Sequence, residues 1–419
     1  MHAVVPQAVM WWTEFRFNVG YLRDDVGDRQ GFAVLGIPRV QFRPAGGSSK
    51  QGRKASFLSS MEIVDAHIHL YPGTEVESLA WCAEGHPLHG QHSVEDYLEA
   101  TKDLCTVSSH KLRGFIFIET DRKSHLETEA GWDEPLRELD WIRRVADGRP
   151  RPGEGHTSQH AHMCLGVVLW APLPSGAEAM QRYMDRVQAR AGMMLPLVKG
   201  FRYLVQDKPP GTMLTASFVD SLRWMGRSGF AFDLGVDARS GGIWQLEEAI
   251  EMIERAHDGL PNDKKVTVVI NHMCKPDMRS RDQDGNPATE PFTAWKTHMA
   301  RLASFSNVYM KLSGGFSETD PLPSAGEQGD WGSQVRDDLV KRTREWSGSW
   351  LGEMLTAFGP RRLLFGSDWC VCNVGGGGNG VSWMNWWSVV DGFAKDNLTE
   401  EDQANLWSDN ALRAYRCAR

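Results

Sequence analysis

The sequence predicts a closed (β/α)₈ barrel, eight parallel strands alternating with helices around one core. Three observations predict it. From Met61 onward, short apolar or β-branched runs alternate with longer stretches of helical period, and about eight such units follow one another. The runs are nearly continuously apolar, as parallel strands buried on both faces must be. An open doubly wound sheet would carry a glycine-rich phosphate turn after its first strand, and none stands there.

In order, the strands are expected at Ile63 to His67, Phe115 to Glu119, Leu165 to Trp170, Val198 to Tyr203, Phe230 to Leu234, Val266 to His272, Val308 to Leu312 and Leu363 to Gly366. Each is short and rich in Val, Ile, Leu or Phe, the residues that suit a pleated, buried surface. Helices are expected between them, at Val94 to Leu104, Leu136 to Val145, Ala177 to Arg190, Ser217 to Met225, Trp244 to Ala256, Phe292 to Ala303 and Asp337 to Phe358, with a terminal one at Glu400 to Tyr415. Two Pro/Gly-bearing insertions, Gly148 to His162 and Asp282 to Pro291, read as exposed loops, and the glycine-rich Gly375 to Gly380 as a mobile loop rather than a phosphate cradle. Histidines in such loops, His156, His160 and His162, and likewise His86, His89 and His92, are expected to be solvent-exposed side chains.

At 419 residues the chain accommodates one large barrel. Residues 1 to 60 do not follow the βα rhythm and end in a Gly/Ser/Lys/Arg stretch, so they are expected to be a disordered N-terminal extension, with residues 61 to 419 forming the barrel. A net charge of -8 excludes a basic nucleic-acid-binding surface as the main theme. No window reaches the roughly 18 apolar residues of a membrane span. The 7 cysteines are an odd number at low density, which points to free thiols and a cytoplasmic location. Cys370 and Cys372 read as buried thiols rather than a metal pair.

The strand ends carry the chemistry. Val64-Asp65-Ala66-His67-Ile68-His69-Leu70 puts two imidazoles two residues apart at the end of a strand, so that both face one side. The sixth strand runs into Asn271-His272-Met273-Cys274-Lys275 and the eighth into Gly366-Ser367-Asp368-Trp369. In a barrel these ends converge on one mouth. His67, His69, His272 and Asp368 then make a three- or four-ligand set for a borderline metal such as zinc, or a set of hydrogen-bonding and acid-base groups without one. Arg202 ends the fourth strand, Glu119, Asp121 and Arg122 follow the second, and Lys275 lies beyond His272; each is a candidate to touch substrate. Trp81, Trp369 and Trp383 are candidates to line the mouth and stack on a ring.

The blocks VDAHIHLYP, GFIFIETDRKS, VKGFRYLVQDKPPGT, INHMCKP and LLFGSDW resemble the amidohydrolase superfamily, in its branch of sugar and dicarboxylate lactonases, and are most similar to fungal L-rhamnono-1,4-lactonases. The resemblance spans about Met61 to Tyr415. It implies an amidohydrolase-type TIM barrel that hydrolyses a sugar lactone, with active-site roles for His67, His69, His272 and Asp368. One divalent ion, zinc by preference, or none, is implied. A two-metal centre is not, because Lys199 lies too early in its strand and the fifth strand offers Asp233 where a histidine is required. A zinc-dependent decarboxylase of the same superfamily and a non-catalytic binding barrel stand as alternatives. The expected partner is a small sugar lactone, with homo-oligomerisation open and no nucleic acid or membrane involved.

Overall fold

Eight parallel strands follow one another around a single sheet in the order β1 to β8. The computed structural model describes residues 60–283, 286–322 and 333–418; the extension expected at residues 1 to 60 lies outside them except for Ser60. The strands are β1 (Glu62–Ile68), β2 (Lys111–Ile118), β3 (Cys164–Trp170), β4 (Val198–Arg202), β5 (Ala231–Leu234), β6 (Thr267–Ile270), β7 (Val308–Leu312) and β8 (Leu363–Phe365). All eight fall on the expected runs. A parallel bridge between Ile68 and Trp369 brings the chain after β8 back against β1.

The helices are α1 (Val94–Thr101), α2 (Leu104–Val107), α3 (Asp133–Ala146), α4 (Ala177–Ala191), α5 (Ala216–Ser228), α6 (Trp244–His257), α7 (Thr289–Ala303), α8 (Gly315–Glu318), α9 (Ser333–Phe358), α10 (Ser382–Asn397), α11 (Glu400–Ala404) and α12 (Asn410–Ala414). Their apolar stripes pack on the outer faces of the strands. Helix α3, for example, buries Leu136, Leu139, Ile142 and Val145, at the three-residue spacing of one helix face. Helix α10 is not among the expected elements. Its sequence, SWMNWWSVVDGFAKDN, is buried on nearly every side, the polar Ser382, Asn385 and Asp391 included. Among the described residues, no helix is long and apolar enough to cross a membrane.

Inside the barrel a second, smaller cluster joins Val64, Ala66, Ile116, Ile118, Val168, Ala231, Val269 and Leu364 with Ala411, Leu412, Ala414 and Tyr415. The C-terminal segment therefore forms the floor. Arg416 sits by the starts of β4 and β5, where its carbonyl accepts from Lys199 Nζ (3.2 Å) and its guanidinium donates to Gly229 O (3.2 Å). The mouth lies at the opposite, C-terminal ends of the strands.

Two expectations are corrected. The Gly148 to His162 segment is not simply an exposed loop: Glu154 and His156 are buried, and Glu154 binds Arg144 of α3 at 2.5 Å. His92 is buried too, because Tyr71 and His92 exchange backbone hydrogen bonds.

Candidate functional site

A register irregularity in β1 between Asp65 and Ile68 shapes the mouth. Val64 and Ala66 face the inner cluster, and the bulge lets His67 turn inward directly after Ala66 instead of out toward the helices. Asp65 pins this geometry from outside. Its carboxylate accepts from the backbone N–H of Ser367 (2.8 Å) and His67 (3.3 Å), from Tyr97 Oη (3.0 Å) and from Trp383 Nε1 (2.8 Å). One fully buried side chain thus ties β1 to α1, α10 and the turn after β8.

His272 is aimed by backbone of unusual hand. His272, Met273, Cys274 and Lys275 all have positive φ, as do Asp121 and Asp368. Such conformations cost L residues about 1–2 kcal/mol each. The turn is held by Trp295 Nε1 donating to Met273 O (2.9 Å) and by Ala238 N donating to Cys274 O (3.0 Å). Ser313 Oγ then meets His272 Nδ1 at 2.8 Å. Only glycine fits at 314, since a Cβ there would stand 2.6 Å from His272 Nδ1.

Three imidazoles converge on one carboxylate. Asp368 Oδ1 lies 3.6 Å from His67 Nε2, 3.6 Å from His69 Nε2 and 3.7 Å from His272 Nε2, and the two β1 rings approach at 3.1 Å, Nε2 to Nε2. Burial pushes His67 well below the usual imidazole range, aided by the Lys311 charge, and pushes His272 down to about 3. Both rings are neutral at pH 7. Burial by itself raises the Asp368 carboxyl, but His272, His69 and the Lys275 ammonium more than offset it and hold it below its ordinary value. The result is an ionised carboxylate beside the neutral rings of His67 and His272.

Beneath this cluster runs a polar chain that the sequence motifs did not reveal. Lys311 of β7, fully buried, places Nζ 2.8 Å from Asp233 Oδ2 and 2.9 Å from His67 Nδ1; Tyr415 of the floor donates its hydroxyl to the same Asp233 oxygen. Burial lowers Lys311 to about 8 against the pull of Asp233, so it is an ammonium at neutral pH. An ammonium only donates. His67 Nδ1 must therefore accept, and the ring proton sits on Nε2, facing the cluster. His69 has the opposite tautomer, because its Nδ1 faces two carbonyls, Ile118 O at 3.1 Å and Glu119 O at 3.0 Å. Its Nε2 is the acceptor for His67.

Among the described residues, the ligand atoms grouped closely enough to share one ion are those of His67, His272 and Asp368, with His69 at their side. Two ligands on one tetrahedral zinc at about 2.0–2.1 Å stand about 3.3 Å apart, close to the 3.1 to 3.7 Å spacings here. The donor set fits one divalent ion, and ligation at His67 Nε2 would expel the proton it carries. Lys199 faces the floor and Asp233 is paired with Lys311, so neither presents itself to a second ion.

The family model described as amidohydrolase matches residues 155–417. Over 364 residues, 85% of this chain and 99% of the relative, the chain is 33% identical to a protein named L-rhamnono-gamma-lactonase from Scheffersomyces stipitis. The chain belongs to the amidohydrolase family. It is also 27% identical to an L-fucono-1,5-lactonase from Burkholderia multivorans, over 52% of this chain and 62% of that protein. A crystal structure of an amidohydrolase from Burkholderia multivorans with bound zinc has the same fold, with a TM-score of 0.59 and 21% identity, covering 85% of this chain and 99% of the other.

The remaining candidate residues of this amidohydrolase divide into two groups. Arg202 and Glu119 come together at the ends of β4 and β2, with Arg202 Nη1 3.4 Å from Glu119 Oε1. Burial pushes Glu119 up to about 8 despite Arg202. Lys275 stands in the left-handed turn beside His272, and Trp81 is half-buried with Nε1 donating to Thr120 O (2.8 Å). Arg122 is different. It is buried and paired with Glu75 (2.7 Å) and Glu138 (3.4 Å), so it braces the loops behind β2 rather than facing substrate. Trp369 and Trp383 are also corrected: both are fully buried and present no face for stacking. Cys370 and Cys372 are buried thiols as expected, donating to Tyr71 Oη and Ser382 Oγ, each at 3.5 Å.

Proposed function

We propose that this amidohydrolase opens a sugar-derived lactone, an aldonolactone such as L-rhamnono-1,4-lactone, by attack of water at the ester carbonyl. The observation that carries the reading is the convergence of three ring nitrogens on Asp368 Oδ1 in a chain similar over nearly its whole barrel to a named sugar lactonase. Asp368, ionised and buried, takes a proton from water as general base. With no ion at the centre, His67, held in its tautomer by Lys311, would turn its Nε2–H from His69 to the developing oxyanion. Asp368, now protonated, returns its proton to the ring oxygen as the carbonyl–oxygen bond breaks, giving a hydroxy acid.

His67, His69, His272 and Asp368 would hold one divalent ion, zinc by its ligand preference. When bound, such an ion supplies Lewis-acid polarisation of the ester carbonyl. Arg202, Glu119, Lys275 and Trp81 would meet the substrate's hydroxyl groups and ring. We assign the enzyme to carbohydrate breakdown in the cytoplasm, a reading its free thiols support.

The test is a panel of aldonolactones assayed for acid release, with and without chelator, alongside carbon dioxide capture from aromatic carboxylates. Acid without carbon dioxide is the expected result. Carbon dioxide from aromatic acids, with lactones left intact, would make the protein a decarboxylase, and no turnover of either would leave a binding barrel.

A further inference from the structure

One amide beside the centre has backbone partners but no side-chain partner. Asn271 follows β6, two residues beyond Val269 of the inner cluster, so by strand parity it faces the barrel interior at the mouth end. Its N–H donates to Leu234 O (2.9 Å) and its carbonyl accepts from Cys274 N (2.9 Å). The side chain is 1% exposed, yet neither Oδ1 nor Nδ2 has a hydrogen-bond partner among the described residues. A buried polar group left in this state costs about 1–3 kcal/mol.

Gly235 lies next to it, continuing the inner parity of β5 beyond Asp233, and a Cβ there would stand 3.5 Å from Leu204 Cδ1 and 3.7 Å from both Arg202 Nη2 and Asn271 Nδ2, so the glycine leaves space among the three. The glycine thus separates an amide from a guanidinium, and both edge the same space. Arg202 Nε and Glu119 Oε1 are likewise buried without hydrogen-bond partners. The groups bordering the space supply two kinds of donor and an amide acceptor, the complement of neighbouring hydroxyl groups on a ring.

We propose that Asn271 and Arg202, spaced by Gly235, form a clamp for two hydroxyl groups of the substrate, and that Asn271 is a specificity-determining residue of the lactone site. The inference rests on the lactonase reading for the identity of the ring. The Asn271 amide accepts from one hydroxyl through Oδ1 and donates through Nδ2, while the guanidinium donates to the adjacent hydroxyl oxygen. A ring lacking these hydroxyls leaves the amide buried and unpartnered, which is how a site rejects an otherwise similar molecule.

The test compares the full-length protein with Asn271→Ala and Gly235→Ala on a polyhydroxylated aldonolactone and on unsubstituted γ-butyrolactone. Calorimetric binding of the open-chain aldonate serves as a readout independent of turnover. Asn271→Ala is expected to lower kcat/KM on the hydroxylated lactone by about tenfold to a hundredfold, mainly through KM, with a loss on γ-butyrolactone at least about tenfold smaller. Aldonate affinity should fall in parallel. Gly235→Ala inserts a methyl at ordinary contact distance, so it should fold and weaken the same ligands by filling the gap. Equal losses on both lactones would overturn the clamp and make Asn271 a support for His272, and unchanged aldonate binding in both variants would overturn it too. A wild type that binds aldonate but opens no lactone would overturn the lactonase reading alone, and loss of that binding in Asn271→Ala would still support the clamp.

Discussion

The floor and the mouth of this barrel are built by the same strands and obey opposite rules. At the floor, Val64, Ile116, Val168, Ala231, Val269 and Leu364 close on Ala411, Leu412 and Ala414 in an apolar cluster. Two or three residues further along, the inward positions become His67, Arg202, Asp233, Asn271, Lys311 and Ser313, all buried and all polar. Most of the non-glycine residues with positive φ also gather at the mouth: Asp121, His272 to Lys275, and Asp368. The floor is what burial and propensity alone would produce. The mouth accepts desolvated charge, strained backbone and unpartnered amides, and the floor's packing sustains them.

The sharpest way to break this contrast is at Asp368. Asp368→Asn keeps size and polarity but removes the proposed base, and kcat is expected to fall by about a hundredfold to ten-thousandfold, with a smaller change in KM. Unfolding by heat should be little altered. Turnover close to wild type in steady-state assays would move the base elsewhere.

Lys311 tests the border between the two regions, since it joins the floor's Tyr415 to the mouth's His67 through Asp233. Lys311→Met should cost about 3–5 kcal/mol of stability by stranding Asp233. It should also lower kcat by about a hundredfold, because His67 loses the donor that fixes its tautomer. Leu412→Ala supplies the control below the border: a loss of about 2–5 kcal/mol for a floor cavity, with kcat unchanged. Denaturant titration and initial rates on the two variants check this. A drop in kcat for Leu412→Ala equal to that of Lys311→Met would mean that the border does not exist.

The contrast also explains what could be read in the sequence. Strands of a parallel barrel are buried on both faces, so their apolar runs stand out, and His67, His69, His272 and Asp368 were legible because each ends such a run. Lys311 was not, although a lysine inside VYMKL is a signal of its own. Its partners lie 244 and 78 residues away, at His67 and Asp233, and no local pattern reveals a pairing that only barrel closure creates. Arg122 misled for the same reason, since its partners Glu75 and Glu138 come from separate segments.

The smallest expected effect is a pH dependence of stability set near neutral pH by two buried carboxyls of the mouth. Burial raises Glu119 to about 8 and Glu318 to about 7 from an ordinary 4.5. Each holds a proton in the folded state that the unfolded chain has already released, so stability falls as pH rises between the two values. The buried histidines act in the opposite sense: their folded values lie below 6.5, and stability rises with pH up to that point. Lys311, lowered to about 8 from 10.5, also adds stability with rising pH, but only above about pH 8. Between about pH 6.5 and 8 the carboxyls dominate, and Tm should decline across that interval. Glu119→Gln removes the larger contributor without removing its hydrogen-bonding shape, so its Tm should be flatter over the same range while the floor variant Leu412→Ala keeps the wild-type slope. A Glu119→Gln profile parallel to wild type would mean that Glu119 is ionised in the folded protein, and that the mouth tolerates one more buried charge than its chemistry requires.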